Sequence, residues 1–170
     1  MKSPFYFLVK PIGDRYTNVK KIGDNTLLLN TEISNHEFVN RHAEVISSPS
    51  AYETGIKPGE ELIIHHNVFR RWYDIKGRER NSSSFIKEDL FTVAFDQVFL
   101  HKKEGKWKPL KGFCFVQPIK NKIKYDLNPE KPLIGKVVYG NGDIKEGEIV
   151  GFSPGDEYEF VINGKRLYRV

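Results

Sequence analysis

The chain has 170 residues, with 27 Lys plus Arg against 22 Asp plus Glu for a formal charge of +5, and 13% aromatic residues. A single cysteine, Cys114, excludes an internal disulfide and a cysteine-rich zinc site, and no apolar run approaches the ~20 residues of a membrane helix. Basic residues are interleaved with acidic ones, as in Lys87-Glu88-Asp89 and Lys103-Glu104-Gly105-Lys106, so the positive balance builds no phosphate-binding tail and disfavours nucleic acid as a partner.

Apolar residues nowhere recur at helical spacing through several turns, and Gly and Pro punctuate short runs, so the expected class is all-β. In chain order the predicted strands are Phe5–Pro11, Thr26–Asn30, Ala43–Ser47, Glu61–His65, Phe69–Tyr73, Leu90–Ala94 and Gln97–Lys102. Then follow Phe113–Gln117, Gly135–Tyr139, Asp156–Val161 and Lys165–Val170. Cys114 falls in the alternating run Phe113-Cys114-Phe115-Val116, where it reads as a small buried hydrophobe. Two segments read as long loops, residues 23–40 and 78–84, and loops of such length in a small domain are functional or mobile. Residues 104–112 read as a junction in which Trp107 packs.

The chain repeats itself. Gly55, Pro58, Gly59, Glu61, Asn67 and Arg70 are met without a gap by Gly151, Pro154, Gly155, Glu157, Asn163 and Arg166, where chance gives on the order of one identity. Val9-Lys10-Pro11-Ile12 is echoed by Val116-Gln117-Pro118-Ile119, and Val45-Ile46 by Val137-Val138, in the same order. Pro58-Gly59 and Pro154-Gly155 carry the residues a tight turn wants at its second and third positions. Asn163-Gly164 signals a two-residue hairpin, and a further hairpin is expected at residues 141–148. The expected organisation is a first repeat over 1–103, a junction over 104–112, and a second repeat over 113–170. After Trp72 the first copy continues to Phe85–Leu100, whereas after Tyr168 the second stops at Val170. The second copy is therefore expected to lack its closing strands and to obtain them from another chain or from a longer natural sequence, since open edges invite pairing.

The order of parts resembles the GroES-type co-chaperonins. The resemblance rests on an opening strand ending in Pro, a polar loop holding an aliphatic triplet, and the runs Gly135–Glu148, Ser153–Glu157 and Phe85–Leu90. The tandem form and the His65–Tyr73 segment are similar to divergent co-chaperonin-like proteins of bacteriophages. The resemblance implies two small tandem β-barrels, an oligomeric ring, no cofactor, and a loop tripeptide that docks a chaperonin. Leu27-Leu28-Leu29 sits where that tripeptide falls. Three consecutive leucines fit a buried strand equally well. The second repeat's loop, residues 120–133, has no such triplet. The implied setting is a cytoplasm, the host's if the protein is viral. The competing reading is an oligomeric virion component, in capsid or tail, that uses the same fold with other virion proteins as partners. A nucleic-acid-binding barrel ranks third.

Constellations for chemistry are sparse. His65 and His66, if on a strand, point to opposite faces and cannot share a metal. Arg70-Arg71-Trp72-Tyr73 could stack bases, but Arg166-Leu167-Tyr168-Arg169 repeats the theme and fits cation–π packing on a strand surface. No Gly-rich phosphate loop and no nucleophile elbow occur, and Asp96 and Asp126 have no evident partner, so no enzyme is expected.

Overall fold

The computed structural model describes residues 1–17, 19–23, 25–28, 35–110, 112–121, 130–155 and 158–170, with the backbone alone for 19–22 and 25–28. The chain is all-β. Its strands are β1 (Phe7–Pro11), β2 (Val19–Ile22), β3 (Asn25–Leu28), β4 (His42–Ser47), β5 (Glu61–Ile64), β6 (Arg71–Tyr73), β7 (Glu79–Asn81), β8 (Phe85–Lys87), β9 (Leu90–Val93) and β10 (Val98–Lys103). They continue as β11 (Lys106–Pro109), β12 (Phe115–Lys120), β13 (Glu130–Tyr139), β14 (Ile149–Gly151), β15 (Tyr158–Ile162) and β16 (Lys165–Arg169). Among the described residues the only helical turns are short 3₁₀ segments at His36–Phe38, His66–Val68 and Phe95–Gln97, and no helix is long and apolar enough to cross a membrane.

Antiparallel pairing gives one sheet in the order β11-β10-β5-β4-β1-β9-β8 and another in the order β14-β13-β12-β16-β15, neither of them closed. Two ribbons, β2-β3 and β6-β7, stand outside both. The chain divides into two compact units at the Gly105 turn, residues 1–105 and 106–170. Residues 106–109, expected within a junction, form β11, and Trp107 is buried there.

In the first unit, alternate strand residues turn Phe7, Val9, Val45, Leu62, Phe91 and Val93 inward, each 1% exposed or less. Phe69 meets Phe91 edge-on with ring centroids 4.8 Å apart. In the second, Phe115, Val116 and Leu167 are fully buried, and Phe115 meets Phe160 at 5.5 Å. Cys114 is buried just ahead of β12 beside Val116 and Val137, and burial raises its thiol pKa.

The duplication is visible in the pairing itself. Val9 faces Val45 and Pro11 faces Ala43; Val116 faces Val137 and Pro118 faces Gly135. The register slips at the same place in each pair, between Leu8 and Val9 and between Phe115 and Val116. Leu62 lies opposite Ala43 as Val150 lies opposite Gly135. Phe91 lies opposite Val9 as Tyr168 lies opposite Val116. The sheet β14-β13-β12-β16-β15 thus repeats β5-β4-β1-β9-β8 strand for strand.

This pairing corrects the ungapped match of residues 55–72 with 151–168. The Gly59 amide donates to the Val45 carbonyl at 2.7 Å and the Val45 amide to Glu60 at 2.9 Å; the Gly147 amide donates to Val137 at 2.8 Å and the Val137 amide to Glu148 at 2.8 Å. Both glycines have positive φ, +86° and +89°. The counterpart of Lys57-Pro58-Gly59-Glu60 is therefore Lys145-Glu146-Gly147-Glu148, in the loop that returns β13 to β14. Pro154-Gly155 is a separate turn with Gly155 at φ +87°, and a Pro-Gly pair recurs wherever a tight turn is needed, whatever strands flank it.

Of the closing strands β8, β9 and β10, the first two have counterparts in β15 and β16; among the described residues β10, with its neighbour β11, has none in the second sheet.

Candidate functional site

The chain leaves β1 at Pro11 and re-enters the same sheet at β4, and the excursion between carries the leucines. Within it, β2 and β3 pair antiparallel, Val19 opposite Leu28, Lys20 opposite Leu27 and Ile22 opposite Asn25, with Gly23 at φ +61° in the turn. Leu27 and Leu28 therefore lie on a strand whose partner among the described residues is β2, and not on a strand of either main sheet. Leu29 lies outside the described residues.

The neck of this excursion is locked by residues that the sequence did not single out. Asn40, 8% exposed, donates through Nδ2 to the carbonyls of Ile12 and Asp14, both at 2.8 Å, and its Oδ1 accepts the His42 amide at 2.9 Å. One buried amide side chain thereby ties the departing and returning strands with its polar groups satisfied. Outward from it, Asn40 donates its own amide to the Arg15 carbonyl at 2.9 Å, Tyr16 bridges to Val39, and the Thr17 amide donates to Phe38 at 2.8 Å.

Arg15 and Tyr16 fasten the neck to the base of the β6-β7 ribbon. The Arg15 guanidinium donates to the Phe69 carbonyl at 2.8 Å and to Asn81 Oδ1 at 2.9 Å, and lies 4.9 Å from the Phe91 ring centroid. The Tyr16 hydroxyl accepts the Arg71 amide at 2.6 Å, while the Arg71 guanidinium stacks 4.8 Å over the Tyr16 ring and pairs with Glu79 at 2.9 Å. Burial, and then the neighbouring Arg71 charge, lower the Arg15 pKa from its usual range. A polar cleft of about 440 Å³ opens here, lined by Asp14, Arg15, Arg71, Glu79, Asn81 and Glu88 among others. Arg71 is committed to Tyr16 and Glu79, which leaves Trp72 and Tyr73, 45% and 55% exposed, as the outward residues of the Arg70–Tyr73 run.

The histidine pair departs from its expected geometry. β5 ends at Ile64, and His65 caps the 3₁₀ turn, its Nδ1 accepting the Asn67 amide at 3.1 Å. The chain is no longer extended there, so the His65 and His66 rings lie 4.3 Å apart and do not point to opposite faces. His36, on the returning side of the excursion, lies 5.1 Å from His66. Burial, followed by the charges of His65, Arg41, His36 and Arg70, drives the His66 pKa down to about 3. Among the described residues, no group of three His, Cys, Asp or Glu is placed to hold a metal.

Elsewhere, Arg166 binds Glu159 at 2.8 Å and Glu130 at 2.6 Å and stacks 5.1 Å from the Tyr168 ring centroid, a strand-surface network. Asp96 sits in the 3₁₀ turn before β10, and Asp126 lies outside the described residues. Comparison with family models, curated proteins and solved structures gave no match for the chain.

Proposed function

We propose that this protein is a co-chaperonin-like protein, two GroES-like barrel units per chain, which assembles into an oligomeric ring and caps a chaperonin to assist protein folding. The observation that carries the reading is the β2-β3 ribbon: a leucine-bearing hairpin outside both main sheets, held at its neck by Asn40, Arg15 and Tyr16. A leucine strand in the core would be hydrogen-bonded into the β1-β4 sheet. A ribbon paired only with itself, among the described residues, instead leaves its leucines outside the main-sheet pairing, as a docking segment requires. Each such contact is weak, because the docking segment loses conformational freedom, and several copies on one ring multiply it through effective concentration. The firm neck reduces what remains to be ordered on docking.

The test is co-sedimentation of the full chain with a bacterial chaperonin, with and without nucleotide. Nucleotide-dependent binding that is lost in Leu28→Asp is the expected result. Absence of binding by the native chain, or equal binding by Leu28→Asp, overturns the proposal.

A further inference from the structure

The two sheets agree in strand order and pairing except at one edge, and the difference falls at β14 in the second unit. In the first unit β5 is covered by β10, antiparallel, with Leu100 opposite Ile63, His101 opposite Leu62 and Lys102 opposite Glu61. β10 inserts Val98, Phe99 and Leu100, each 2% exposed or less, and its basic end meets carboxylates: His101 Nδ1 lies 3.0 Å from Glu60 and Lys102 Nζ lies 3.0 Å from Glu61. β14 is the counterpart of β5, yet it is the terminal strand of its sheet among the described residues. Where Leu62 and Ile63 are fully buried, Val150 is half-buried and Gly151 exposed, and Ile149 is 68% exposed.

Three further features suit this edge to a β10-like strand. Glu148 gives its carbonyl to Val137 and the Phe152 amide donates to Leu133, so by alternation the backbone groups of Ile149 and Gly151 face away from β13, ready to pair. Beside the edge lies a cavity of about 520 Å³, lined by Phe113, Cys114, Ile144, Val150, Phe152 and Val170 among others, able to receive apolar side chains. Glu148, the counterpart of Glu60, and Glu146 are exposed at the start of β14, where the basic end of an antiparallel strand would arrive; the Glu148 carboxylate accepts the Lys145 amide of its own turn at 3.1 Å.

We infer that the β14 edge and this cavity form an acceptor for an extended segment of a partner protein, added as a strand antiparallel to β14. The segment is apolar where it enters the cavity and basic at its C-terminal end, the chemistry of β10. This site is distinct from the leucine ribbon and does not depend on the chaperonin reading.

The probe is a labelled peptide with the sequence of residues 94–103 (AFDQVFLHKK), titrated into the full chain by fluorescence anisotropy. Saturation at one peptide per chain is expected, with the reversed sequence at least tenfold weaker. Gly151→Pro removes an outward amide while leaving the β13 pairing in place, and should weaken binding at least tenfold with an unchanged circular dichroism spectrum. Ile149→Pro removes the other outward amide and serves if Gly151→Pro is misfolded. In the unaltered chain, bound peptide should also slow labelling of Cys114 by a small thiol reagent. No saturable binding, or binding that survives both proline variants, overturns the inference. So does self-association of the chain that both variants abolish, which would make a second copy the occupant.

Discussion

His66 is surrounded by basic side chains from several elements: His65 beside it, Arg41 and His36 on the returning side of the excursion, and Arg70 ahead of β6. Its pKa of about 3 in the fold lies below the ordinary histidine value of 6.5. Between these values the unfolded chain takes up a proton that the native state refuses. Stability contributed by neutral His66 is thus complete above pH 6.5 and is lost as pH falls toward 3. The ring is only half-buried, and solvent screening reduces the expected effect to about 1–2 kcal/mol. Urea midpoints should fall between pH 7 and pH 5 in the native chain, and His66→Gln should flatten that slope. Glu61, whose pKa is lowered by its hydrogen bonds to His42 and Lys102 against the opposing effect of burial, acts below the ordinary carboxylate range and does not intrude on this interval. An unchanged slope in His66→Gln would show that the cluster does not control acid stability.

At the scale of elements, the equivalence of the two turns makes a prediction that the sequence alone would have placed elsewhere. Glu146 occupies the position of Pro58, followed in both turns by a glycine of positive φ and closed by a hydrogen bond from a glutamate amide to a lysine carbonyl, Glu60 to Lys57 at 3.2 Å and Glu148 to Lys145 at 3.3 Å. Pro58 shows that this turn accepts proline, so Glu146→Pro should stabilise the chain by about 0.4–1 kcal/mol, through lost freedom of the unfolded state. Thermal unfolding measures it, and a lowered midpoint would break the equivalence of the turns. Much of the sheet was legible in advance: β1, β4, β5, β9, β10, β12, β13, β15 and β16 carry apolar alternation or a clear turn signal, and each was expected near its observed place. β2, β7, β8, β11 and β14 were not, because strands of three or four residues in ribbons or at sheet edges are too short to leave a period-two pattern. The Gly55–Trp72 match misled because turn residues report local backbone needs, whereas a strand's identity in a repeat is set by its partners. Asn40, which locks the neck, was invisible for a related reason: its role depends on Ile12, Asp14 and His42, which only the folded chain brings together.

For the whole molecule, the duplicated sheet separates what is shared from what is singular. Both units contain the five-strand order, with the same register slip and the same glycine turn. In the first unit alone are the β6-β7 ribbon, the Arg15–Tyr16 clamp and β10 described. On the proposed co-chaperonin reading, one short leucine-bearing ribbon binds too weakly to hold a chaperonin by itself. Capping therefore requires several chains in one assembly, whose linked contacts raise avidity by roughly 10²–10⁴ over one ribbon. Native mass spectrometry at micromolar concentration should accordingly give a closed multiple of the single-chain mass, with no open-ended ladder, because identical head-to-tail contacts form a ring only when the rotation closes. The same mass should persist in Gly151→Pro, since the β14 edge is assigned to a partner strand and not to the ring contact. A monomer under these conditions would remove the multivalency on which capping depends, while leaving the strand acceptor to be decided by the peptide titration alone.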